Sequence, residues 1–323
     1  MPCPGLVREI WKATARARIC VLQGIWSFPL LVAPRICRMR GLPYVIVPRG
    51  TLEGISLSEK AFKKNLYLRL FESGNIRHAT AIQFASEDER RNSRQVVRGV
   101  PSFVHPNTVE LQAAMPRAGA ELRRRLALPP DAVLAGISGR LHPRKGFEIF
   151  VPAMAQCSSK IHLVAFGADE ADYSHKIMSL AQESGVAGRV HLLGQLDGDS
   201  LQSAYASIDL LAMPSHGESF GNTAIEALAQ GTEIMLSDRV PLGDWVTGHA
   251  LGTVVPELNS GKWAAALDKW VARHETFDRA RAARLVRREF DLKTLGRRLI
   301  DDYLRLLSSH DPTGRAADAG SET

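Results

Sequence analysis

From residue 133 to residue 236 the chain repeats one pattern: a short apolar run, a polar or glycine-containing loop, then a segment with apolar residues at helical spacing. The runs are Val133–Ser138, Ile161–Phe166, 190–193, 208–213 and 233–236. Strands joined through helices pair in parallel, and a parallel sheet needs helices on both faces. No other feature limits the fold as strongly, and it predicts a doubly wound α/β lobe.

The fourth repeat carries the most chemistry. Its run 208–213 is followed by PSHGESFGNTAIEALAQG, residues 214–231. Ser219 is placed to cap the helix, and Gly221 lets a ligand approach the backbone. Free N–H groups and the positive end of the helix dipole put a ligand pocket there, outside the carboxyl end of a parallel strand. Glu218 and Glu226 bracket the helix start; two helical turns separate positions seven apart by about 10 Å, too far for a close catalytic pair but suited to the two ends of one long ligand. After the first run comes SGRLHPRKGFE, residues 138–148. There Gly139, Arg140 and Lys145 place two cations and a helix N-terminus around one point, an arrangement for a diphosphate.

The motif P-S-x-x-E-S-F-G-N-x-x-x-E-A-L-A-x-G resembles the donor-site segment of retaining glycosyltransferases of the family-4 type, the glycosyl transferases group 1. That resemblance implies two Rossmann-like doubly wound lobes of GT-B type. It implies that Glu218 faces the sugar hydroxyls, that Glu226 takes the nucleotide ribose, and that Arg140 and Lys145 neutralise the leaving diphosphate. It also places Ser219, Phe220, Gly221, Asn222 and Gly139 around the donor. Fixed cations at a departing diphosphate lower the barrier without a metal, so metal independence is expected and no cofactor beyond the nucleotide-sugar substrate. The one D-x-D string, residues 197–199, reads as part of a helix start, with Asp199 as cap and Gln202 three residues on.

Upstream, ICVLQGIWSFP and GLPYVIVPRGTL resemble the middle of the family's first lobe, at the acceptor side. Gln23 and Arg49 stand where many relatives carry histidines, and Arg49 is the candidate acceptor-side residue. The opening strand and its glycine-rich loop are not found, so this lobe reads as incomplete. Residues 57–72 predict an amphipathic helix with Lys60, Lys63 and Lys64 on its polar side, a surface for a phosphorylated or lipid-linked acceptor. The expected division is 1–128 for the shortened acceptor-side lobe, 129–290 for the nucleotide-sugar lobe, 291–307 for a helix returning to the first lobe, and 308–323 for a disordered tail.

Of 323 residues, 45% are hydrophobic and 23% charged, enough apolar content for two cores. The net charge is +7, with arginines clustered at 117–125 and 273–298, a balance that attracts phosphates. No aromatic residues interleave the basic runs and no nucleic-acid-binding signature appears, so nucleic acid is not an expected partner. Four cysteines without C-x-x-C spacing read as reduced thiols. Sixteen uncharged residues, 19–34, are broken by Gln23, Gly24, Pro29 and Pro34 and fall short of a bilayer span. A cytoplasmic enzyme is expected, peripheral at the inner membrane face, moving sugar from a UDP- or GDP-sugar to a glycan or lipid-linked acceptor with retention, in cell-surface polysaccharide synthesis. The alternative is a truncated, non-catalytic or partner-dependent nucleotide-sugar-binding protein. The short first lobe favours weak transfer and an oligomer.

Overall fold

The computed structural model of the chain describes residues 4–53, 61–113, 115, 119–129, 132–158 and 160–310. They form two compact units, residues 1–106 with 296–323, and residues 107–295.

The first unit opens with helix α1 (Pro4–Thr14), then β1 (Cys20–Gln23), α2 (Phe28–Met39) and β2 (Tyr44–Val47). Helix α3 (Ala61–Tyr67) passes through one π-helical turn, Leu68–Glu72, into the short α4 (Ser73–Arg77). Strand β3 (Ala81–Phe84), α5 (Glu87–Ser93) and β4 (Ser102–Val104) follow. All four strands are parallel, in the order β1-β2-β3-β4. Their Val, Ile and Phe side chains pack with Leu22, Cys37, Leu52, Ile76 and Val97 into one core. Helix α5 starts where its sequence says it should: Ser86 Oγ accepts the Glu89 N–H at 3.0 Å, and Glu87, Asp88 and Glu89 fill the first turn.

The predicted lysine-faced helix at 57–72 takes another form. Its start and Lys60 lie outside the described residues, as does the Lys64 side chain, and Lys63 is exposed. Phe62, Leu66, Leu70 and Phe71 of the same stretch are also exposed, Phe62 to 81%. Among its described residues the buried ones are Leu68 and a carboxylate, Glu72, which accepts from Asn75 Nδ2 at 3.0 Å.

The second unit has helix α6 (Gly119–Arg125), then β5 (Val133–Ser138), α7 (Phe147–Gln156), β6 (Ile161–Phe166), α8 (Tyr173–Glu183), β7 (Val190–Gly194), α9 (Gly198–Ser207) and β8 (Leu210–Met213). It continues with α10 (Asn222–Ala229), β9 (Glu233–Ser237), α11 (Gly243–Gly248), β10 (Gly252–Val255), α12 (Ser260–Val271) and α13 (Arg279–Phe290). The six strands are all parallel, in the order β10-β9-β8-β5-β6-β7. Strands β5, β6, β8 and β9 are almost wholly buried, which is why they read as largely apolar runs. Trp263 and Trp270 of α12 join Phe147, Phe150 and Met154 in the core on one face.

Segment 107–128, assigned from sequence to the first lobe, groups with the second unit. Its polar groups explain this: Asn107 Nδ2 donates to Asn222 Oδ1 at 3.1 Å, the Met115 N–H to Gln230 Oε1 at 2.9 Å, and Arg287 Nη2 to the Gln112 carbonyl at 2.6 Å. The last helix, α14 (Leu292–His310), includes residues 308–310, which were expected in the tail, while 311–323 lie outside the described residues. Its Tyr303 belongs to the first unit and donates to Gln83 Oε1 at 2.6 Å. Among the described residues no helix is long and apolar enough to cross a membrane.

Candidate functional site

In the second unit, chain order along the sheet reverses between β5 and β8, which lie side by side. The loops leaving their carboxyl ends must diverge to opposite faces, so they open a crevice between them. These two loops hold most of the residues singled out above.

The β5 loop is built on glycine. Gly139 and Gly167 have φ of +116° and +150°, and a Cβ on Gly167 would lie 2.0 Å from the Gly139 carbonyl oxygen. A Cβ on Gly139 would meet the Lys145 side chain at 2.9 Å, so the lysine stem lies across the bare backbone. A single 3-10 turn, Pro143–Lys145, ends at Gly146 in the left-handed region, φ +72°, from which α7 starts. A Cβ there would stand 2.0 Å from the Pro214 carbonyl oxygen, so the β5 loop and the β8 loop touch backbone to backbone. The His216 N–H donates across the same seam to the Arg144 carbonyl at 2.9 Å.

Lys145 Nζ reaches Glu218 Oε1 at 2.9 Å, and Ser215 Oγ donates to that oxygen at 2.9 Å. Ser215 is in turn fixed through its carbonyl by Ser237 Oγ at 2.7 Å. Glu226 lies one turn into α10 and accepts from Tyr205 OH at 2.9 Å, while Tyr205 OH and Ser138 Oγ are 2.8 Å apart. Burial raises the Glu226 carboxyl above the ordinary glutamate range, with the tyrosine bond pulling against it. Burial and the neighbouring Glu226 charge push the Tyr205 phenol well up.

Three expectations change. Ser219 is not the helix cap; Gly221, φ +112°, holds that position because the chain turns through the left-handed region there. Phe220 is buried and meets the Phe290 ring edge-on at 5.9 Å, so it packs the loop down rather than lining it. The D-x-D string is capped one step earlier than read: Asp197 is the cap of α9, its N–H donating to Ser200 Oγ at 3.2 Å, while Asp199 sits in the first turn and Gln202 is buried against Gln230. Arg140 stands at the crevice but points away, 72% exposed and 2.6 Å from Glu170 Oε2. Asn222 is exposed and bonded to Asn107. Among the described residues no three His, Cys, Asp or Glu side chains gather around one point.

Sequence reasoning missed Tyr205, Ser138 and Ser215 as supports. Ser215 had a signal, the S-x-x-E spacing to Glu218, but a tyrosine on the previous helix had none. The clustered arginines are also absorbed: Arg123 and Arg279 both pair with Asp209, Arg273 pairs with Glu233, and Arg281 donates to the His249 carbonyl.

The first unit gathers its own polar residues at the carboxyl ends of its strands. Arg49 adopts φ +57° in the loop after β2, and its Nε donates to Gln23 Oε1, at the end of β1, at 2.9 Å. Fully buried Glu89 holds the next residue in place: its carboxylate accepts the Gly50 N–H at 2.5 Å and the Ala85 N–H at 2.7 Å. Burial raises the Glu89 carboxyl, and the two backbone bonds lower it. Glu89 is the clamp of the Arg49 turn.

Comparison with known proteins agrees with this architecture. The profile of the family described as glycosyl transferases group 1 matches residues 120–284. D-inositol 3-phosphate glycosyltransferase of Stackebrandtia nassauensis is 32% identical over 192 residues, 56% of this chain and 42% of that protein. The same enzyme of Mycobacterium marinum is 31% identical over 188 residues, 57% of this chain and 40% of that protein. The match thus spans about two fifths of the length of these relatives. Sucrose-phosphate synthase from Thermosynechococcus elongatus superposes with a TM-score of 0.78 at 23% identity, over 95% of this chain and 78% of that one. Anabaena Alr3699/HepE in complex with UDP-glucose gives 0.77 at 19% identity, over 94% and 84%. At such identities the likeness establishes a shared GT-B fold.

Proposed function

The chain belongs to the glycosyl transferases group 1 family, and on that premise we propose that it moves a sugar from a UDP- or GDP-sugar to a glycan or lipid-linked acceptor, retaining the anomeric configuration. The observation that carries this reading is the convergence of the β5 and β8 loops at the point of strand reversal, with Lys145 and Glu218 in contact across it. A donor diphosphate laid over Gly139 takes the Lys145 ammonium and the N-terminus of α7, and Arg140 turns in from Glu170. Glu218, released from Lys145, receives the sugar hydroxyls, and Glu226 receives the ribose. A departing diphosphate gains negative charge as the glycosidic bond breaks; fixed cations stabilise that charge most where water is excluded. In the first unit, Arg49 offers a cation to an anionic acceptor group, and the lipid-linked acceptors of cell-surface polysaccharide synthesis carry such groups. HepE has been captured with UDP-glucose, which makes a UDP-sugar the first donor to assay.

Titration calorimetry with UDP- and GDP-sugars, in chelator, should give saturable binding of about millimolar affinity or better, and proton NMR of the product should show the donor's anomeric configuration preserved. Inverted product overturns the stereochemical reading. Binding unchanged by Lys145→Ala and Glu226→Ala overturns the site.

A further inference from the structure

The arginines of 273–298 are largely held by carboxylates or carbonyls, but a second basic group, in the first unit, is not. A cavity of about 900 Å³ opens at the start of β4, bordered by Arg90, Arg91, Arg94, Arg98, Val97 and Ser102. Four guanidinium groups face it against one carboxylate of its border, Glu87. Arg90 is paired with Glu87 at 2.8 Å and Arg91 with Asp88 at 2.9 Å, as expected of i,i+3 pairs on a helix. Arg94 and Arg98 lie beyond the end of α5 and have no carboxylate partner among the described residues. Helix-dipole compensation accounts for arginines in the last turn, not for one four residues further on in a loop.

We propose that this cavity is an anion site for an organic phosphate, a ligand with a phosphate-bearing head and an organic body. Unpaired guanidinium forks match phosphate oxygens two at a time, and the pairs at Arg90 and Arg91 are exposed enough to reorient towards a stronger anion. The volume exceeds what one inorganic phosphate fills and suits a ligand of nucleotide or lipid-headgroup size. Val97 and half-buried Val100 give the body of such a ligand an apolar floor. The site stands at the amino end of the parallel sheet, since Ser102 begins β4, whereas Gln23 and Arg49 stand at the carboxyl end. It is therefore distinct from the acceptor-side residues of the same unit.

Hydrogen–deuterium exchange on the full chain tests this, with inorganic pyrophosphate as one probe and phosphatidylglycerol vesicles as the other, each against sodium chloride at matched ionic strength and, for vesicles, phosphatidylcholine. Peptides within 87–102 should exchange more slowly with pyrophosphate, with anionic vesicles, or with both; the pattern distinguishes a soluble phosphate ligand from a lipid headgroup. Arg94→Glu with Arg98→Glu should weaken that protection by roughly tenfold or more, leaving the response of 139–148 and 214–226 intact. Arg94→Gln with Arg98→Gln repeats the test without charge reversal. Lys145→Ala should do the opposite, so failure here and failure of the donor site are distinguishable. No protection of 87–102 by either probe, or protection equal in sodium chloride or in both double variants, overturns the proposal.

Discussion

Lys145 Nζ and Glu218 Oε1 stand 2.9 Å apart although 73 positions separate them in sequence, and they join the two loops that flank the point of strand reversal. Each is about one-fifth exposed, so the pair is partly shielded yet open to exchange partners. On the proposed donor role, a phosphate arriving beside Lys145 would compete for the ammonium and free Glu218 for a neutral sugar.

Lys145→Ala should lower turnover by about a hundredfold or more, as removal of one fixed stabiliser of a developing charge commonly does. Glu218 then keeps Ser215 as its partner, so the fold should survive. Single-turnover sugar transfer and a thermal melt on the same preparation check both halves.

Glu226 makes the site pH-dependent. Its carboxyl titrates above the ordinary value of 4.5, so, on the proposed ribose-binding role, donor affinity should fall as pH drops through that raised value. The sign for stability is opposite. Folding favours the protonated form, so this group's contribution is present below pH 4.5 and lost as pH rises through the folded value. Glu226→Gln should therefore melt higher than the parent at neutral pH, with the gap closing towards pH 4.5, while binding donor more weakly at neutral pH. Calorimetric melts across that range measure it; a gap that widens on acidification contradicts the assignment.

Gly146→Ala should destabilise the second unit by about 2 kcal/mol or more. An alanine at φ +72° costs about 1 kcal/mol by itself, and its Cβ would also meet the Pro214 carbonyl at 2.0 Å. Relief of that contact must move one loop relative to the other, so donor affinity should fall even though no side chain of the site has changed. Urea unfolding and donor titration provide the two readings.

Glu89 is fully buried and accepts two backbone N–H groups. Glu89→Gln should cost about 1–3 kcal/mol, because the amide NH₂ then faces a donor and leaves one N–H unsatisfied. The loss should be accompanied by faster hydrogen exchange at 49–53, where the Arg49 turn depends on the clamp. Glu89→Gln with unchanged exchange there would show that the turn holds itself.

The parallel sheets were legible because burial on both faces leaves unbroken apolar runs, as at Leu210–Met213. Strands β4 and β10 were not: Ser102–Val104 is only three residues long, and Gly252–Val255 is half-buried, so neither shows a run to read. In the site, residues on the same loop were visible as spacing, Glu218 and Gly221 among them. What sequence hid was contact across elements. Tyr205 joins Glu226 through a hydroxyl on a different helix, Arg140 turns to Glu170 on the β6 loop, and Glu89 reaches back 39 positions to Gly50. A side chain's partner is set by the register of two strands, and single-residue chemistry carries no record of it.

The close approach of Gly167 to the Gly139 carbonyl implies an uneven tolerance to mutation. The β5 loop rests on main chain at Gly167, so its height there is fixed by peptide geometry. Substitutions among the apolar residues of β5 and β6 can accumulate, trading volume between neighbours, without lifting that loop. Any replacement of Gly167 lifts it at once, while a replacement of Gly139 is strained by its φ of +116° and must displace the Lys145 side chain. A library randomised over 133–167 and selected for donor binding should therefore drift freely along the strands and return these two codons unchanged.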